Sequence, residues 1–406
     1  MKYRLSLLLA VLLPFAMSAQ NTVSVSTGEE TILRKPATAR IVCGPYLQNV
    51  TQTGFTVMWE TDMDAKGWVE IAPDDESNFY YAERPKYYDA RGCGISPVGK
   101  IHKVTVDGLE PGTKYRYRVM MTAVEGYYNA STPVYGNSSG TDVYSRKPLE
   151  VRTLDADYSE VNIAVVNDVH AQDSLFRRLF EDGEKNHTFD FVLFNGDMLS
   201  GLQDETMIGK YYLNSASKLF ANEVPLYMAR GNHEWRGKDA VKLLDWYDFP
   251  DGKPYYTFQY GRFFFVVLDG GEDKADSDIE NKGLLCSEPY LQGESDWLKG
   301  VVESDAWKNA ERRIVFCHIP PVAKDAWHGN YNVTKYFISI LNNAGTDLML
   351  SGHEHAYDFR KAGTVGADFP VIVNSRCERM DLKVTSDKIA VRIYNTDGKL
   401  IHSLDL

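Results

Sequence analysis

Aspartate, histidine and asparagine recur along this 406-residue chain in short groups whose spacing suits metal coordination. Asp168-Val169-His170 and His353-Glu354-His355 each place two ligand-type side chains two residues apart, so on extended backbone both point the same way into one crevice. Gly196-Asp197, Gly231-Asn232-His233-Glu234 and His318 add a carboxylate, an amide and further imidazoles. The candidate ligands are therefore Asp168, His170, Asp197, Asn232, His318, His353 and His355. Mixed carboxylate and imidazole donors suit zinc, iron or manganese, whereas calcium prefers oxygen alone. A carboxylate such as Asp197 can bridge two cations, and glycines at 196, 231 and 352 let the backbone turn sharply beside them. Two divalent ions would outweigh the two carboxylates and leave a pocket that attracts phosphate. Such a pair lowers the pKa of a bound water from near 16 toward roughly 7 and stabilises charge building on phosphoryl oxygens.

These groups need a scaffold that brings them together. Apolar runs at 161–166, 189–194, 224–229, 263–268, 314–317 and 348–350 alternate with helix-like spacing at 175–183, 209–221 and 295–302, which reads as buried strands of an α/β sheet. Every run but 263–268 ends in one of the groups above. In open α/β sheets the ligand crevice lies outside the carboxyl ends of the strands, so residues far apart in sequence converge there. Ahead of residue 155 the style differs. Alternation in 54–62 and 114–120, with further short strands at 67–73, 101–106 and 149–153 separated by turn residues, predicts a small antiparallel sandwich over 40–153. Residues 1–19 combine Lys2, Arg4 and an apolar run too short to span a bilayer, which reads as a cleaved secretory signal. Residues 20–39 are polar and without periodicity, and read as a linker.

An exported chain has a periplasmic or secreted destination, and no membrane span is expected. Without Lys2 and Arg4, 42 cations stand against 56 anions, a net charge of −14. Such a surface repels polyanions, and no basic stripe offers nucleic acid a site, so a small phosphorylated substrate is the better partner. Five cysteines cannot all pair within the chain; Cys317 sits in an apolar run as a buried thiol, and Cys43 with Cys93 is a candidate bridge.

The ordered set Asp-x-His, Gly-Asp, Gly-Asn-His-Glu, His and Gly-His-x-His, over about 155–406, resembles the calcineurin-like metallophosphoesterases. The stretch 109–115 resembles the turn of a fibronectin type III module. With Gly44-Pro45-Tyr46-Leu47-Gln48 opening the first strand, the arrangement is similar to purple acid phosphatases and their bacterial relatives. The resemblance implies an α/β four-layer (α/β/β/α) metallophosphoesterase domain over 155–406, its second sheet including the strands after Phe369, preceded by an all-β fibronectin-like sandwich. It implies a first metal on Asp168, His170, Asp197 and His355 and a second on Asp197, Asn232, His318 and His353. His233 would assist the leaving group or the transition state, a role imidazole suits near neutral pH. Arg230 resembles a phosphate-contacting arginine of protein-phosphatase relatives. Purple acid phosphatases place an iron-binding tyrosine three residues after the bridging aspartate. Here Ser200 stands at that position, and His170 occupies a first motif where that family has glycine. A colourless protein with two divalent metals is the expectation, with Tyr211 and Tyr212 as phenols that could reach the site from the following helix.

Other residues have plainer readings. His102, His187 and His402 are read as satisfied polar groups, Glu234 as a hydrogen-bonding support of its loop, and 272–280 as a solvated acidic loop that overhangs the crevice. His328, after Trp327, is a candidate substrate-binding residue beside Arg230 and Asn232. Tyr80, Tyr81, Tyr87 and Tyr88 are read as packing between domains. The function implied is hydrolysis of phosphomonoesters; a phosphodiesterase or nucleotidase shares the same ligands. A metal-containing binding or adhesion protein is the rival from another class, which would have no use for His233.

Overall fold

The computed structural model describes residues 23–27, 30–90, 92–322 and 326–406, and the signal read over 1–19 lies outside them. Within the expected linker, Val23–Thr27 pairs antiparallel with Glu30–Arg34. Alternating β-branched residues in 23–27 suit a strand, a signal too short to stand out in a polar segment.

The N-terminal β-rich domain joins Ile41–Gln48, Phe55–Pro73, Lys114–Asn129 and Thr132–Gly140 in that order. Lys86–Tyr88 and Gly99–Val106 also pair with Phe55–Pro73, and Leu149–Arg152 with Lys114–Asn129. The segments 54–62 and 67–73, read as separate strands, are one 19-residue strand. Period two there predicts one wet face, yet Phe55, Thr56, Val57, Met58 and Trp59 are all buried. The second domain covers the other face: the Tyr46 hydroxyl donates to the Trp246 carbonyl at 2.8 Å, and Thr56 Oγ1 to Asp248 Oδ2 at 2.7 Å. The tyrosine cluster does not serve that contact. Tyr80 and Tyr81 are 56 % and 83 % exposed, and only Tyr87 packs against the shared core. Cys43 and Cys93 do not pair; the first is buried and the second exposed.

Two six-stranded sheets build the second domain. In the first, Glu160–Val166, Phe191–Asn195 and Leu226–Ala229 run parallel. The second has Phe263–Leu268, Arg312–Cys317, Leu348–Ser351 and Val371–Val373 parallel at its centre. Of the strands expected in this second sheet after Phe369, only Val371–Val373 lies there. Arg379–Thr385, Ile389–Tyr394 and Leu400–Asp405 instead extend the first sheet, because the chain crosses back and pairs antiparallel along Glu160–Val166. Alternation inside the buried runs assigns their two faces. Phe263, Phe265, Phe316 and Leu350 join Ile163, Val165 and Phe194 in one core. Phe264, Val266, Val315 and Met349 face the other way, onto Leu291 and Leu298 of the Ser287–Glu303 helix and onto Phe337 and Leu341. This burial of both faces explains the unbroken apolar runs. No helix among the described residues is long and apolar enough to cross a membrane.

Candidate metal centre

Parallel strands leave their carboxyl ends at one edge, and there the chain turns abruptly. Asp168, His170, Asp197, His353 and His355 all have positive φ, between 48° and 72°. Left-handed backbone at non-glycine residues is strained and persists where surrounding contacts over-determine it, as at functional sites. The turns aim five side chains inward from three loops. Close approach also demands glycine: a Cβ on Gly231 would lie 2.3 Å from Asp197 Oδ1, and one on Gly352 2.7 Å from Asp168 Oδ2.

The seven expected ligands converge. Asp168 Oδ1 lies 3.1 Å from His355 Nε2 and 3.6 Å from His170 Nε2, and those two ring nitrogens face each other at 3.1 Å. Asp197 Oδ2 lies 3.2 Å from His318 Nε2 and 4.0 Å from His170 Nε2, which sets it between the two groups. His353 Nδ1 is 2.9 Å from Asn232 Oδ1. The donor atoms of Asp168, His170 and His355 all lie within 4.8 Å of one another, as do those of Asp197, His318 and His353.

Whether these donors fit a cation can be judged from their unspent lone pairs. His318 is fully buried and its Nδ1–H donates to the Asn195 carbonyl at 2.7 Å, so in the neutral ring the Nε2 lone pair faces a carboxylate. A positive charge must stand between them. Burial alone would depress His318, yet Asp197 and Asp168 raise its pKa to about 10, which shows how strongly this pocket draws in positive charge. His353, with burial dominant, falls to about 4 and presents a neutral ring. Asp168 Oδ1 is buried without a hydrogen-bond partner, while its Oδ2 accepts from Asn167 Nδ2 at 2.6 Å and the His353 amide at 2.9 Å. Ser200 Oγ is 3.2 Å from His170 Nδ1, so the residue at the expected tyrosine position fixes the extra imidazole. Neither nearby phenol reaches the site: the Tyr212 hydroxyl is buried against that of Tyr247 at 3.0 Å, and Tyr211 packs against the core. The set therefore fits metal coordination.

Supporting contacts were partly legible. Glu234 Oε2 accepts the amides of Asp197 at 2.8 Å and Gly231 at 3.0 Å, and Oε1 that of Leu199 at 3.2 Å, tying two ligand loops together. Asn374 Nδ2 donates to Asn167 Oδ1 at 2.8 Å, a support that no sequence spacing announces. Arg230 differs from expectation. Its Nε donates to Asp269 Oδ2 at 2.7 Å, its guanidinium lies 4.0 Å from the Trp235 ring centre, and it is absent from the pocket wall among the described residues. The buried Asp269 takes its charge. Arg236 stands nearer instead, with Nη1 3.3 Å from His233 Nε2 and Nε donating to Glu272 Oε2 at 2.8 Å. Glu272 is fully buried by that pairing and Asp273 lines the pocket, so the acidic loop begins as a structural wall, not a solvated one. His328 opens the helix His328–Val333 and is absent from the pocket wall among the described residues, where Trp327 and Asn330 stand instead.

The resulting cavity of about 340 Å³ has Asp197, Asn232, His233, His353 and His355 among its lining residues. His233 Nε2 is 3.8 Å from Asp197 Oδ2, and its ring meets that of His170 edge-on at 4.9 Å.

Comparison with known proteins agrees with this geometry. Residues 161–357 match the calcineurin-like phosphoesterase family, and residues 44–138 the purple acid phosphatase N-terminal domain. Mouse serine/threonine-protein phosphatase CPPED1 is 25 % identical over 201 residues, 46 % of this chain and 60 % of that protein. The human protein of the same name is 25 % identical over 191 residues, 43 % of this chain and 57 % of that one. The chain thus spans less than two thirds of the length of these curated relatives. Purple acid phosphatase PPD1 from yellow lupin (Lupinus luteus) seeds superposes with a TM-score of 0.61 at 15 % identity, covering 89 % of this chain and 73 % of that one, which shows a shared fold.

Proposed function

We propose that this chain, which belongs to the calcineurin-like metallophosphoesterases and carries a purple acid phosphatase N-terminal domain, is an exported phosphomonoesterase with a dinuclear metal site. The carrying observation is Asp197 Oδ2, set between two clusters of ligand atoms and within 4.0 Å of both His170 and His318. Asp168, His170, Asp197 and His355 would hold one ion, and Asp197, Asn232, His318 and His353 the other. When bound, two divalent ions acidify water and offset charge on the phosphoryl oxygens.

The remaining steps belong to the protein. His233 lines the pocket, where its imidazole would assist the leaving oxygen or the transition state, and Arg236 Nη1, 3.3 Å from Nε2, orients the ring. Asp273 and Glu354 on the wall are each paired, with Arg236 at 2.7 Å and Arg360 at 2.5 Å, so they shape the entrance. On the same reading, 40–153 is a fibronectin type III-like module and 155–406 a four-layer α/β/β/α unit, supported by two sheets that share one core with helices packed outside.

A panel of phosphomonoesters and phosphodiesters, assayed on metal-reconstituted protein, tests the proposal. Turnover of monoesters is the expected result. Turnover confined to diesters would replace the substrate class, and inactivity on every ester with both ions bound would favour a binding protein.

A further inference from the structure

Trp327 stands at the mouth of the metal pocket, 60 % exposed, beside Asp273, Asn330 and Glu354. Among the described residues no ring or cation stacks on its indole. Its backbone is nevertheless fixed. The Trp327 amide donates to Asn330 Oδ1 at 2.8 Å, and Asn330, itself 2 % exposed, anchors through Nδ2 to the Pro320 carbonyl at 2.9 Å, two residues beyond His318. The Gly329 amide adds a bond to the Asp273 carbonyl at 3.2 Å. An indole held on such a frame presents a flat apolar face at little conformational cost, since only two side-chain torsions remain to order.

The other walls narrow what would lie against it. No lysine or arginine is among the described lining residues, and Arg236 and Arg360 are occupied by the lining carboxylates Asp273 and Glu354. An alcohol carrying a second anionic group would find two carboxylates and no lysine or arginine among the described lining residues. At about 340 Å³ the cavity is near the small end of ligand sites, room for a phosphate and one ring.

Resting on the phosphomonoesterase reading of this same site, we propose that Trp327 is a specificity-determining residue, stacking on an uncharged planar ring carried by the alcohol close to the ester oxygen. Stacking and plain hydrophobic burial make opposite predictions for a flat and a puckered ring. A cyclohexyl group is the more apolar, so burial favours it, whereas the face of an indole favours phenyl.

The test is calorimetric binding of 2-phenylethylphosphonate and 2-cyclohexylethylphosphonate to the metal-loaded protein, with turnover of benzyl and cyclohexylmethyl phosphate followed alongside. Wild type should bind the phenyl ligand about two- to tenfold more tightly. Trp327→Leu should erase that preference and Trp327→Phe should retain most of it, both with wild-type metal content. Equal or tighter binding of the cyclohexyl ligand by wild type would overturn the assignment, as would a phenyl preference that survives in Trp327→Leu. Should the phenyl preference depend on Trp327 while neither ester is hydrolysed, the phosphomonoesterase reading falls and the stacking role stands.

Discussion

Glu234 is the acidic residue most easily mistaken for a catalyst, since it follows His233 directly and is buried beside Asp197. The structure gives it a different task. It is 1 % exposed, and its carboxylate accepts three backbone amides at 2.8, 3.0 and 3.2 Å, two from the loop of Asp197 and one from the loop of Asn232. Glu234→Ala strands those three donors in the interior. At about 1–3 kcal/mol for each unsatisfied group the gross cost is about 3–9 kcal/mol, and water entering the vacated polar space should bring it toward about 3–5 kcal/mol. That is a large share of a total stability near 5–15 kcal/mol. Glu234→Gln keeps the shape and one acceptor oxygen, which can serve the amides of Asp197 and Gly231, but turns its own N–H groups toward Leu199. Its cost should be about 1–2 kcal/mol. Urea unfolding of metal-free protein, paired with metal per chain in the folded variants, reads both effects, with metal affinity falling in the same order as stability. Wild-type stability and metal content in Glu234→Gln with collapsed turnover would instead mark Glu234 as a reacting group.

Other consequences are open to simple measurement. His233→Ala should keep both metals and lose on the order of 10² to 10⁴ in turnover, with a smaller loss for nitrophenyl than for alkyl phosphates; equal losses would assign it to positioning. Protein loaded with iron and oxidised should show no strong visible band, because Ser200 replaces the phenolate and both Tyr211 and Tyr212 are held away from the site; an intense band lost in a tyrosine-to-phenylalanine variant would contradict this. Asp190 lies outside the metal site, and burial, assisted by the charge of Glu160, raises its carboxyl to about 6 from 3.8. The folded state therefore holds the proton more tightly than the unfolded state. The group costs nothing below the unfolded value, and the penalty grows as pH rises through about 4 to 6, reaching up to about 3 kcal/mol. Asp190→Asn, which keeps an acceptor for the Asn162 amide, should raise the melting temperature at pH 7.5 and leave it nearly unchanged at pH 4; a pH-independent change would remove the carboxyl as the cause.

The catalytic half was readable because its signals are local and repeated. Each ligand group closes an apolar run, and parallel strands align those closures at one edge whatever the loops between them do. Glu234 was readable as well, from its place in a tight turn. Arg230 was not, because its partner Asp269 lies 39 residues away on the neighbouring sheet, and nothing in the local spacing marks that pairing. Arg236 was missed for the same reason, its anchors Glu272 and Asp273 lying in a loop read as solvated. Period two in 54–62 correctly gave a strand, but burial of its second face depends on Trp246 and Asp248, which sequence alone cannot bring near. The left-handed backbone at Asp168, Asp197 and His353 also escapes propensity, since contacts made elsewhere impose it.

In the proposed centre Asp197 is a carboxylate shared between two ions. Metal per chain in folded, dialysed Asp197→Asn, set against wild type, tests this most directly. Wild type should retain two equivalents and the variant should lose both, since each ion loses a charged ligand. Retention of both ions at wild-type affinity would take Asp197 out of the bridging position and the dinuclear centre with it.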